Sequence, residues 1–207
     1  MTDTIPPPTV NSVRELGIRS DHDPYTALIE PALDRLVAQF PHNKDACDVL
    51  LKVTTINALY STNIYAVVAV AEHIVKQDID SAIAAGSPDA VEQVARIQFK
   101  GQNKVHFYYS FASKYCSWHN QNAYPIFDRR VRKTLSKYKK QDKFDDFSTD
   151  ELWCSSGYKR FREIVSRFRT HYELNELNFK EIDKFLYWFD LIGDYDTVPL
   201  STQETVT

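Results

Sequence analysis

Glycine is scarce in this chain, with five among 207 residues. There is also no clear run of alternating polar and apolar positions, so tight turns and extended sheet strands have little support. Cysteine is scarce as well. Cys47, Cys116 and Cys154 lie far apart and are odd in number. That excludes a disulfide framework and the close spacings of zinc or iron–sulfur sites, so no metal is expected and reduced, intracellular thiols are. Long apolar runs are missing too. The longest, Tyr65–Ala71, is far too short to span a bilayer. The opening residues MTDTIPPPTVNS lack the basic and apolar regions of a signal peptide. The expectation is a soluble monomer with no membrane partner.

What the chain does carry is apolar and aromatic bulk, 43% and 13% of its residues, enough for the core of one domain. Its net charge of −3 hides an uneven distribution. Residues 98–172 hold 16 Lys+Arg against 7 Asp+Glu, and the remainder holds 9 against 21. A basic stretch of this kind fits a face that binds a polyanion, or a solvated helical surface balanced by acidic neighbours.

Helical periodicity runs through almost the whole sequence, which predicts an all-α fold. Helices are expected near 25–40, 44–60, 63–77, 88–98, 103–119, 128–139, 158–171 and 178–190. Asp89, Asn103 and Asn178 stand where caps would, and Pro88 and Pro125 punctuate the chain. Residues 1–20 and 194–207, rich in Pro, Ser and Thr, read as flexible tails around a single helical domain, 21–193, of two packed lobes. The segment 141–157 reads as a polar loop.

One stretch raises a chemical question: SFASKYCSWHNQNAYPIFDRRVRKTL, residues 110–135. Read as a helix, Phe107, Phe111, Lys114 and Trp118 share one face, so a lysine stands among aromatics. Such an amine either snorkels to water or sits in a partly dry pocket, where desolvation lowers its pKa toward that of a nucleophile. Asp128 follows the extended dipeptide Tyr124-Pro125 and stands at the N-cap of a basic helix. Taken alone, it is a cap; beside Lys114, it is a carboxylate able to stabilise positive charge. His119, one turn beyond Lys114, reads as a buried structural histidine or as a residue that helps proton transfer, and Cys116 as a core residue.

A second segment, TTINALYSTNIYAVVAVAEHI (residues 54–74), bears on the pair. Together the two stretches resemble the helix-hairpin-helix DNA glycosylase superfamily, in particular its 8-oxoguanine branch. Ser61, Thr62, Asn63, Ile64 and Glu72 match that branch's Ser/Asn-rich tip and following helix, and PIFDRRV matches the ending that carries its aspartate. The resemblance implies that Lys114 is a nucleophile that forms a Schiff base, that Asp128 assists departure of a damaged or modified base from double-stranded DNA, and that no cofactor is needed. It implies that Ser61, Thr62 and Asn63 meet the DNA at the gap left by that base. Arg129, Arg130, Arg132 and Lys133 would contact phosphates. A base-stacking aromatic is implied on the last helix, where Phe185, Tyr187, Trp188 and Phe189 all qualify. The hairpin departs from the family: YYSFASK stands where a Gly-rich turn is usual, so the hairpin is degenerate. Two other readings fit the same residues: a DNA-binding protein on this scaffold without catalysis, and a helical domain whose basic face meets an acidic protein.

Overall fold

The computed structural model describes residues 4–153 and 157–195. In chain order the elements are α1 (Val10–His22), α2 (Pro24–Gln39), α3 (Ala46–Tyr60), α4 (Val67–Gln77), α5 (Asp80–Ala84), α6 (Asp89–Ala95), β1 (Arg96–Gln98), β2 (Val105–Phe107), α7 (Tyr109–His119), α8 (Arg129–Asp142), α9 (Thr149–Leu152), α10 (Gly157–His171) and α11 (Phe179–Tyr195). The protein is mostly helical, as its sequence predicts, with one antiparallel ribbon that pairs Ile97 with His106. Among the described residues no helix is long and apolar enough to cross a membrane.

Helix starts follow from their caps. The Asp23 carboxylate accepts from Thr26 N ahead of Pro24, and Asp45 accepts from Cys47 N and Asp48 N. Asp128 caps α8 through Arg130 N at 2.9 Å. Before α11, Asn178 and Glu181 exchange backbone-to-side-chain bonds in both directions, so orphan donors of the first turn are satisfied reciprocally.

The expected N-terminal tail is instead structure. Thr9 and Ser12 form a capping box, α1 buries Val13, and Arg14 pairs with Glu176 at 2.8 Å. Ahead of it, Ile5 exchanges two hydrogen bonds with the Gln141 side chain and the Pro6 carbonyl accepts from Tyr138. The tail expected at the other end begins too early, because α11 runs on to Tyr195; residues 196–207 lie outside the described residues. Part of the expected polar loop is helical as well: α8 runs to Asp142 and a short α9 follows, while Cys154 lies outside the described residues.

Two expected helices are interrupted by the ribbon. The helix read over 88–98 ends at Ala95 and continues as β1, and the one read over 103–119 begins only at Tyr109, after β2. Asn103 therefore caps nothing, and Asp89 is the first helical residue after Pro88 rather than the cap. The helix expected from residue 63 starts at Val67, because Ser61 and Asn63 adopt left-handed φ values of 49° and 59°.

Helix α7 is central. Every residue from Phe111 to Trp118 is buried, so it is covered on all sides rather than on one stripe. Phe107 lies outside it, on β2, and is 56% exposed. The lysine among aromatics is thus a lysine inside the core of the molecule.

Candidate functional site

Lys114 enters the interior from the middle of α7 and is 3% exposed. Its Nζ donates to Ser110 Oγ, one turn back, at 2.9 Å and to Asp128 Oδ2 at 3.3 Å. The amine also lies 5.5 Å from the centre of the Tyr60 ring, whose hydroxyl accepts from Trp118 Nε1 at 3.1 Å. Burial lowers the Lys114 pKa, and Asp128 opposes that shift without cancelling it. The carboxylate is the outer member of the pair, with a 23% exposed side chain against 4% for the lysine. One oxygen of Asp128 caps α8 while the other holds the amine.

Two further residues hold the backbone that delivers Asp128. Ser113 Oγ accepts from Phe127 N at 2.9 Å, and Asp183 Oδ2, from α11, accepts from Ile126 N at 2.6 Å. Asp183 is fully enclosed, and burial holds its carboxyl well above the usual range. Its other oxygen, Oδ1, is buried without a hydrogen-bond partner, which fits a neutral acid. Tyr60, Ser110 and Asp183 were not legible as site residues. Tyr60 and Asp183 are remote from Asp128 in sequence, and Ser110, although inside the stretch singled out, is one of several serines there with nothing to mark it.

The tip loop is organised by Asn57. Its amide oxygen accepts from Thr62 Oγ1 and Ile64 N, and its nitrogen donates to the Ile64 carbonyl. Ser61 and Asn63 are exposed beside a half-buried Thr62. The four basic residues after Asp128 separate into three situations. Arg129 is exposed. Arg130 and Lys133, joined by Lys137, converge on the buried carboxylate of Asp190 at 3.1–3.3 Å. Arg132 is 9% exposed, its guanidinium 3.4 Å from the Trp153 ring centre and 4.6 Å from that of Phe127. The expectation that all four face phosphates is therefore corrected for Arg132, because stacking between two rings draws it into the protein.

Ser110, which holds the Lys114 amine, also lines a cavity of about 580 Å³ whose wall includes neither Lys114 nor Asp128. Its wall includes Thr62 from the tip loop, Ser110 and Phe111 from α7, and Arg132 from the basic helix. The segments singled out in the sequence thus meet around one space. His119 belongs elsewhere: it stands 3.4 Å from the Nζ of buried Lys52, and burial lowers its pKa to about 3. Among the described residues no cluster of His, Cys, Asp and Glu could hold a metal ion. Of the aromatics on the last helix, Phe185 is buried, and Tyr187 lies 5.7 Å from the Arg130 guanidinium with 38% exposure.

Comparison with known proteins places the chain in a family. Over 140 residues the chain is 36% identical to a Haemophilus influenzae protein described as uncharacterized, a match that covers 67% of this chain. It covers 64% of that protein, so the chain spans less than two thirds of the relative's length. No solved structure matches. Residues 17–123 match the family model described as HI_0787_N, N-terminal domain, a range that holds the tip loop and Lys114 but stops short of Asp128. By that match over half of its length, the chain belongs to the HI_0787_N family.

Proposed function

We propose that this protein is a DNA glycosylase with abasic-site lyase activity, built on a scaffold of the helix-hairpin-helix glycosylase type whose hairpin has degenerated. The observation that carries the reading is the 3.3 Å approach of a buried amine, Lys114, to a partly exposed carboxylate, Asp128. Burial favours the neutral amine, which is the nucleophilic form. Its lone pair forms a C–N bond at the sugar C1′ as the C1′–base bond breaks, and the base leaves with that electron pair and a proton. Asp128 offsets the positive charge at the sugar and relays the surplus proton of the amine to the departing base, and the second amine proton passes to O4′ as the ring opens. Opening of the C1′–O4′ bond gives the Schiff base, and loss of a C2′ proton then breaks the C3′–O bond to the phosphate.

The substrate in this reading is double-stranded DNA bearing a damaged or modified base, which must leave the stack to reach an interior amine. Thr62 lines the cavity, with the exposed Ser61 and Asn63 on either side of it in the tip loop. Arg129, with Arg130 and Lys133 at the edge of the Asp190 cluster, supplies positive charge toward the phosphates.

Sodium borohydride tests the reading, since it reduces a Schiff base to a stable cross-link. The full chain should become trapped on duplexes carrying an abasic site or the excised base, and Lys114→Ala should not. An adduct that persists in Lys114→Ala removes the lysine from its role, and a wild type that traps on no abasic or modified duplex overturns the reading. A second reading, a helical domain that meets an acidic protein, draws on the inward turn of the basic helix toward Asp190. It expects weak binding to random duplex with little salt dependence, whereas phosphate contacts give a steep loss of affinity with salt.

A further inference from the structure

The cavity beside Ser110 has a rim that the lysine chemistry does not explain. Phe107 is 56% exposed and Trp153 is 60% exposed, a conspicuous exposure for two large rings on one opening. Both are backed. The Phe107 ring lies 6.0 Å from that of Tyr109 at an interplanar angle of 20°, and Trp153 rests on the Arg132 guanidinium. Tyr109 is fixed in turn, its hydroxyl donating to Glu92 Oε2 at 2.7 Å. The same carboxylate accepts from Tyr158 N at the start of α10, where Gly157 has a φ of +82° and a Cβ would stand 2.9 Å from Glu92 Oε1. Only glycine allows that approach. The rim is therefore rigid before any ligand arrives.

We propose that Phe107 and Trp153 form a stacking platform for an unpaired base of a DNA strand, held at the mouth of the cavity whose wall includes Ser110, a hydrogen-bond partner of Lys114. The inference rests on the nucleic-acid reading given above and deepens it. Rigid aromatic faces suit a planar heterocycle, because stacking on them orders few side chains. The volume of about 580 Å³ lies within the roughly 300–1,000 Å³ of small-molecule sites. Hydroxyls of Thr62 and Ser110 in its wall offer hydrogen bonds to a base edge. The position of the platform also matters. Its Phe107 half stands at the β2–α7 junction, the stretch where the sequence lacks the glycines needed for close backbone approach to phosphate, and its Trp153 half follows α9. Grip at this point comes from base faces instead, so the protein favours DNA that is already open.

Fluorescence anisotropy with the full chain tests this, comparing a closed duplex with the same duplex carrying a short bubble of unpaired thymines. The wild type should bind the bubble about tenfold more tightly. Phe107→Ala and Trp153→Ala should each remove most of that preference, and Trp153→Phe should keep it. Both rings are largely exposed, so these variants are expected to fold, with the helical circular dichroism as the check. Tryptophan fluorescence supplies an independent readout: bubble binding should quench the wild type and leave Trp153→Phe unquenched. Equal affinity for the two duplexes, or a preference that survives in the Phe107→Ala/Trp153→Ala double variant, overturns the platform. Borohydride trapping separates the two readings. Trapping without bubble preference sinks the platform alone, and bubble preference without trapping sinks the glycosylase alone.

Discussion

Lys52 and Lys114 are both buried amines with lowered pKa values, yet their surroundings differ. Lys52 donates to the carbonyls of Phe40 and His42 and to Asn43 Oδ1 at 2.7–2.9 Å, so its three hydrogens are spent on fixed acceptors. Its pKa falls to about 8. Lys114 has a hydroxyl and a carboxylate as partners, and the carboxylate reaches solvent. A depressed lysine pKa carries a definite sign. The neutral amine gains population as pH rises through the lowered value, so trapping should climb with pH and level off below the ordinary lysine range. In Asp128→Asn the charge that holds the ammonium is gone. The plateau of the pH profile should then drop, while its rising limb moves to lower pH. A limb that stays in place would show that Lys114 is not the titrating group. Sequence periodicity located the lysine and left its setting open between water and a dry pocket; burial on every side of α7 places it in the interior.

Among the elements, α8 shows most clearly how one residue serves fold and site together. Asp128 caps the helix with Oδ1 and holds Lys114 with Oδ2. Asp128→Ala should lose the cap, worth about 1 kcal/mol, and also leave a buried amine short of a partner. Asp128→Ser keeps a capping oxygen, so its urea midpoint should lie nearer the wild type, although both variants should trap less than the wild type. At the other side of α8, Asp190 gathers Arg130, Lys133 and Lys137. The three cations are 31–46% exposed and can rehydrate, so Asp190→Asn should cost only about 1 kcal/mol. It should also steepen the salt dependence of DNA binding, because the patch loses its internal counter-charge. The cap at Asp128 was legible in the sequence, since Pro125 ends one segment and a basic run begins the next. Asp190 was not, since nothing in KFLYWFD distinguishes a buried acceptor from an exposed one. The ribbon was missed for another reason: three-residue strands are too short to show alternation.

At the scale of the molecule, the N-terminal segment behaves as a strap. Residues 4–22 run from the Gln141 and Tyr138 side chains of α8 to the flank of α11, where Asp21 pairs with Lys184. Proline-rich composition hid this, because prolines before a cap suit an ordered strap as well as a loose tail. Deleting residues 1–22 should uncover apolar surface on α11 and lower the melting temperature by several degrees. An unchanged melt would return the segment to the status of a tail.

The clamp of Asp183 on Ile126 also sets a schedule for biosynthesis. Lys114 and Asp128 leave the ribosome well before α11. Until α11 docks, the backbone between them lacks one of its two clamps, that of Asp183 on Ile126 N, and keeps only that of Ser113 on Phe127 N. A nascent chain thus holds both side chains with one clamp of the two, and the full bracing of the Lys114–Asp128 pair arrives late in translation rather than growing with length.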